Sequence, residues 1–161
     1  MKKKIIFVLF GFLCLFGSVF ADTSFKFKLT GDGTGLCIDE YTGTDTVVFI
    51  QAYYNGMPVK EIGSRAFYSS NVTMVNLPDT VEKIGDEAFK YCRNLQSINF
   101  PSNLQFIGAE AFMICESLSM IIFNGSNKIK WDYPYNTFYG CISLSMYYQL
   151  ELIKMGYPDS F

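Results

Sequence analysis

The chain has 161 residues, half of them hydrophobic and 17% aromatic, which excludes a mainly disordered protein and allows one small domain with a real core. Its formal charge is −2 and it contains no histidine. A weakly acidic chain offers no general field for phosphates, so nucleic acid is not an expected partner, and without imidazole neither Ser-His-Asp nor Cys-His nucleophiles nor histidine-bearing zinc sites can be built.

At the N-terminus, Lys2, Lys3 and Lys4 precede an apolar run from Ile5 to Phe16, followed by Gly17-Ser18-Val19-Phe20-Ala21. A basic region, a short apolar region and small residues before a cut read as a secretory signal over residues 1–21. Two alternatives stand beside it. One is an uncleaved anchor, for which the run is near the short limit of about 20 residues. The other is a lipoprotein signal at Cys14, where Leu13 occupies the place of a small residue. Cleavage after Ala21 leaves no membrane-spanning segment, and ten basic against fifteen acidic residues give a formal charge of −5.

Residues 22–58 form an N-terminal segment. Phe25, Phe27 and Leu29 alternate as in a strand. The run from Gly31 to Gly35 superficially suggests a phosphate cradle, but no Lys-Ser/Thr and no helical pattern follow, so it reads as a turn.

Self-similarity organises the rest. The segments Val59-Lys-Glu-Ile-Gly-Ser-Arg-Ala-Phe67, Val81-Glu-Lys-Ile-Gly-Asp-Glu-Ala-Phe89 and Leu104-Gln-Phe-Ile-Gly-Ala-Glu-Ala-Phe112 align without gaps. Each continues in register: Phe89 to Cys92, Leu95, Ile98 and Phe100, and Phe112 to Cys115, Leu118, Ile121 and Phe123. The first copy is one residue shorter, and a degenerate fourth keeps Phe138, Cys141, Leu144 and Tyr147. One copy of about 23 residues cannot bury its own apolar face, so the copies must stack as a solenoid. Leu95 to Pro101 reads as a short strand with Ile98 and Phe100 inward. On the return side, Ala88, Phe89 and Cys92 fall at helical spacing, which predicts about two helical turns.

This pattern resembles the BspA-like, treponemal-type leucine-rich repeats. The resemblance extends to Gly35–Gly43, Val47–Ile50 and Asn55-Gly56 as the family's leading segment, with Gln51 where that family usually has proline. It also covers residues 150–161 as a short helical C-terminal cap. The fold it implies is α/β: a short right-handed leucine-rich-repeat solenoid with a strand ladder on one face and short helical turns on the other. About four repeats span residues 59–149. The resemblance also implies a role, since proteins of this kind are often bacterial surface or secreted factors that bind host matrix proteins or other cells.

Cys92, Cys115 and Cys141 occupy equivalent inward positions, which predicts a ladder of free thiols, with Cys37 in another register. No paired CxxC spacing supports zinc. The carboxylates Asp86, Glu87, Glu110 and Glu116 read as a solvated return face. No catalytic residue, cofactor or metal is expected, and no enzyme.

The outward strand positions are the candidate site. One column is Val47, Met74, Ser97, Met120 and Met146; its neighbour is Phe49, Asn76, Asn99, Ile122 and Tyr148. Neither holds a charge, and an exposed apolar strip marks a partner surface or self-association. It could instead be covered by the strand-like segment before Thr30. A second candidate is the aromatic loop with Trp131, Tyr133 and Tyr135, which reads either as cap packing or as a binding loop. The two glycosylation triplets, at Asn71 and Asn124, occur too readily by chance to inform. The leading expectation is an exported protein-binding or adhesion module with a protein partner, in the periplasm, at the cell surface or secreted. The alternative is a structural, self-associating periplasmic or envelope protein.

Overall fold

The structure is a computed structural model that describes residues 24–125, 128–132 and 136–158; the expected signal segment, Tyr133 and Tyr135 lie outside the described residues. In chain order the strands are β1 (Phe25–Leu29), β2 (Leu36–Tyr41), β3 (Val47–Phe49), β4 (Tyr53–Tyr54), β5 (Met57–Ile62) and β6 (Met74–Asn76). They continue with β7 (Lys83–Ile84), β8 (Ser97–Phe100), β9 (Phe106–Ile107), β10 (Met120–Phe123) and β11 (Lys130–Trp131), and the chain then forms helix α1 (Met146–Lys154). The chain winds as a β-solenoid of about four coils, mostly strand, whose successive coils meet along three hydrogen-bonded columns.

The first column is a sheet in the order β1-β2-β5-β7-β9-β11, with β4 hairpinned onto β5 through Asn55-Gly56, both at positive φ as a two-residue turn requires. Its parallel register stacks Ile38 on Ile62, Ile62 on Ile84 and Ile84 on Ile107, all fully buried. The glycine after Ile62, Ile84 and Ile107 is explained by the coil before it. A Cβ on Gly85 would lie 2.7 Å from the Ser64 nitrogen, and one on Gly108 would lie 2.6 Å from the Asp86 nitrogen. The second column is the expected ladder, in the order β3-β6-β8-β10, with Val48, Val75, Ile98 and Ile121 stacked inward.

The third column corrects the sequence reading. The first three return arcs are not helical; among the described residues α1 is the only α-helix. Every fourth residue takes positive φ: Arg65 and Ser69, then Glu87 and Tyr91, then Glu110 and Ile114. Between them the arc sends every second N–H, such as those of Arg65, Phe67 and Ser69, toward the next coil. Phe67 donates to Ala88 and Ser69 to Lys90; Phe89 donates to Ala111 and Tyr91 to Met113. The intervening amides close local turns, such as Tyr68 to Arg65 and Ser70 to Phe67. A helix would spend all these donors within one arc and leave the coils unlinked. Inside this column Phe67, Phe89, Phe112 and Phe138 stack face to face with ring centroids 4.9–5.4 Å apart.

A tyrosine closes the column at each end. At the start, the Tyr41 N–H donates to Ala66 and its ring stacks on Phe67 at 4.9 Å. At the finish, the Phe138 N–H donates to the Tyr157 hydroxyl, whose pKa burial pushes up to about 12. Helix α1 begins four residues earlier than expected. Leu144 is the counterpart of Leu95 and Leu118, so α1 starts where a fifth ladder strand would lie. Its sequence favours this, being rich in Leu, Gln, Glu and Lys and nearly free of β-branched residues.

Candidate functional site

The ladder carries its outward side chains on three-residue to four-residue strands whose inward neighbours are fixed in the core. Val47, Phe49, Met74, Met120 and Ile122 all project as exposed apolar groups, with Phe49 65% and Ile122 50% exposed. Asn76 is exposed and Ser97 half-buried. The strand-like N-terminal segment does not lie over this face. Strand β1 pairs antiparallel with β2 at the edge of the other sheet.

Three residues placed on this face by periodicity sit elsewhere. Asn99 is only 5% exposed because its side chain folds back onto the preceding coil. Its Oδ1 accepts the Leu77 N–H at 2.6 Å, and its Nδ2 donates to the Leu77 carbonyl at 2.7 Å. Pro78 follows Leu77, so the strand ends there and the asparagine supplies the pair of bonds that a continuing ladder would have made. Met146 and Tyr148 belong to α1, where Met146 is exposed and Tyr148 packs against the core. With Ser97 short and Asn99 turned away, the third coil is low on this face. The result is a depression of about 150 Å³ bordered by Phe49, Met74, Asn76 and Ile122.

Trp131 is half-buried in the C-terminal cap, edge-on to Tyr157 at 5.1 Å and to Phe138 at 6.0 Å, with Nε1 donating to the Met155 carbonyl. The last coil and α1 expose further apolar side chains, Tyr139, Ile142, Met146, Tyr147 and Leu150, of which periodicity places only Met146 outward, and on the ladder. Their only sequence signal was the i, i+4 pair Met146 and Leu150.

The remaining polar features hold the coils together. Asp86 accepts the Ala109 N–H, Lys90 pairs with Glu110, Arg93 with Glu116, and Glu87 lies 3.6 Å from Arg65. The thiols of Cys92, Cys115 and Cys141 are free and donate to the carbonyls of Phe67, Phe89 and Phe112 at 2.9–3.1 Å. Burial pushes Cys92 up to about 12 and Cys37 to about 11. Asp32 accepts from the Thr30 hydroxyl and from Thr34, which lowers it to about 2 and fixes the turn read there. No group of metal-ligating side chains occurs among the described residues, and none of their helices is long and apolar enough to cross a membrane.

Stacked short coils with a phenylalanine spine and an outward strand ladder define a leucine-rich-repeat solenoid. The chain belongs to the BspA-type leucine-rich repeat family, whose profile matches residues 60–156 with six copies, more than the four or so expected from the sequence. It is similar to the crystal structure of a leucine-rich cell surface protein from Faecalibacterium prausnitzii A2-165, at 32% identity and TM-score 0.66 over 78% of this chain and 35% of that one. It is also similar to a leucine-rich repeat protein from Bacteroides capillosus, at 31% identity and TM-score 0.58 over 70% of this chain and 86% of that one. A third, from Bacteroides ovatus, shares the fold at 24% identity and TM-score 0.61 over 76% of this chain and 33% of that one. The chain thus spans about a third of the length of the first relative. No curated protein matches it.

Proposed function

We propose that this chain is an extracytoplasmic protein-binding module that engages a protein partner, such as a host matrix or cell-surface protein, through the outward face of its ladder. The observation that carries the reading is the row Val47, Phe49, Met74, Met120 and Ile122, apolar, uncharged and exposed. Methionines suit such a face because their flexible thioethers adapt to varied partner shapes. Export through the segment ending at Ala21 belongs to the same reading, as does location in the periplasm, at the surface or in the medium. The cell-surface description of the Faecalibacterium relative supports it. The test is binding to immobilised matrix proteins by the wild-type chain and by a Met120→Asp, Ile122→Asp variant with an unchanged melting temperature. A loss of about tenfold or more is expected; equal binding removes the face.

One observation favours a second reading, a structural protein that associates with itself. A solenoid's capping repeat normally has a polar outer face, yet here the last coil and α1 expose Tyr139, Ile142, Met146, Tyr147 and Leu150. Light scattering across a dilution series decides between them, because a monomer at every concentration excludes self-association.

A further inference from the structure

The arcs shorten toward the N-terminal end. Tyr41 stands where Phe67, Phe89 and Phe112 stand later, as its amide bond to Ala66 and its ring stack show. Six positions separate Tyr41 from its ladder strand at Val47, against seven from Phe67 to Met74 and eight from both Phe89 to Ser97 and Phe112 to Met120. The shortened arc leaves an open depression of about 290 Å³ at the N-terminal end of the turn column, away from the ladder face. Tyr68, Ser69, Ser70 and Asn71 line one side and Thr44 and Asp45 the other, over Tyr41 and Phe67.

An acceptor in the first coil also lacks its donor. In later coils the Lys90 carbonyl accepts from Ser69 and the Met113 carbonyl from Tyr91. The Tyr68 carbonyl is their counterpart in the first coil, where the matching donor is Gly43, but Gly43 does not donate to it and no other described residue does.

We propose that this depression is a subsite for one neutral sugar residue. The Tyr68 carbonyl and the Asp45 carboxylate can only accept, so the ligand must donate to both. The hydroxyls of Thr44, Ser69 and Ser70 donate and accept, and the Asn71 amide can bond two neighbouring hydroxyls at once. A polyol satisfies that mixture. An anion would meet Asp45 with no lysine or arginine in the lining. A cation would find one exposed carboxylate, too little to offset its loss of hydration. An apolar chain would leave the Tyr68 carbonyl buried and unpaired. The volume lies near the lower limit of about 300 Å³ for small-molecule sites, room for one ring.

The test is a titration of the ¹⁵N-labelled protein with glucose, galactose, mannose and N-acetylglucosamine, with ethylammonium as the cationic comparison. At least one sugar is expected to shift the amides of residues 44–45 and 68–71 with millimolar affinity, and Asp45→Ala to weaken it about fivefold. Ser69→Tyr fills the cavity with the residue that the next coil holds at the same place, since Tyr91 has φ 64° where Ser69 has φ 57°. It should therefore fold and abolish the shifts. No shift with any sugar, shifts that persist in the Ser69→Tyr variant, or a response to ethylammonium alone would each overturn the proposal. The outcome is independent of the ladder face.

Discussion

Asn99 offers the sharpest test of how the face is built, and the perturbation is Asn99→Ala. The variant removes an acceptor at 2.6 Å from the Leu77 N–H and a donor at 2.7 Å from the Leu77 carbonyl, while Leu77 itself is 2% exposed. Each buried backbone group left alone costs about 1–3 kcal/mol. The depression beside Asn99 opens to solvent and lets water reach part of the gap, so the lower end of that range applies, about 1–1.5 kcal/mol each and 2–3 kcal/mol for the pair. For a chain of this size that is a fall of roughly 6–9 °C in melting temperature. Urea denaturation followed by circular dichroism, with the slope unchanged, measures it. Asn76→Ala, the exposed counterpart one coil earlier, should change stability by under about 0.5 kcal/mol. Asn99→Asp adds a check by sign. Its carboxylate can accept from Leu77 but faces the carbonyl, which only a protonated carboxyl can satisfy, so the folded-state pKa rises. Relative to wild type it is then most stable below about pH 4 and loses stability as the pH rises above that. A loss below about 0.5 kcal/mol for Asn99→Ala, or an Asn99→Asp variant indifferent to pH, would refute this account of the bond pair.

Phe89 is fully buried between Phe67 at 4.9 Å and Phe112 at 5.3 Å, so Phe89→Ala should destabilise by about 3–5 kcal/mol in the same assay, and a loss below about 2 would mean that the coils close over the gap. Gly85→Ala puts a Cβ against backbone at 2.7 Å and should cost about 2 kcal/mol or more, whereas Gly31→Ala, with nothing within 4 Å, should cost under about 1. Burial raises Cys37 to about 11 and Cys92 to about 12 from 9.0, so the stability these neutral thiols contribute is complete below pH 9 and falls as the pH climbs through 11 to 12. Alkaline melting curves should show that decline, and all four described thiols should resist a disulfide reagent until the protein unfolds.

The repeat was legible because the core repeats. Ile-Gly, Ala-Phe, cysteine and leucine recur at positions the structure buries, and even the free-thiol ladder followed from equal spacing. The turn column was not legible. Its positive-φ residues are Arg65, Ser69, Glu87, Tyr91, Glu110 and Ile114, none of which announces a left-handed backbone, and a turn with a left-handed residue at every fourth position puts Ala88, Phe89 and Cys92 inward at the same spacing as a helix. The two-residue strands β7, β9 and β11 are too short for any period to show. On the candidate face, period two placed the outward positions of β3, β6, β8 and β10 well, and failed at Asn99 because it assigns a direction to the Cα–Cβ bond and says nothing of where a polar side chain then folds. Met146 and Tyr148 were misplaced for another reason: past the last coil there is no strand to pair with, and the helical preference of Met146–Lys154 decides.

What the ladder can bind follows from its size. Five half-exposed apolar side chains contribute about 1 kcal/mol each when covered, about 5 kcal/mol in all, while association costs at least about 4 kcal/mol. The surplus is at most about 1 kcal/mol, so a lone chain of about four coils should hold a partner only at millimolar affinity or weaker. Residence would come from several copies acting together, since a second contact made from a tethered position needs no new surface. Beads carrying the chain at rising density should retain a matrix protein with a steep dependence on density, and Met120→Asp with Ile122→Asp should flatten it. Equal retention per chain at all densities, or nanomolar binding by the free monomer, would show that a surface other than this ladder carries the affinity.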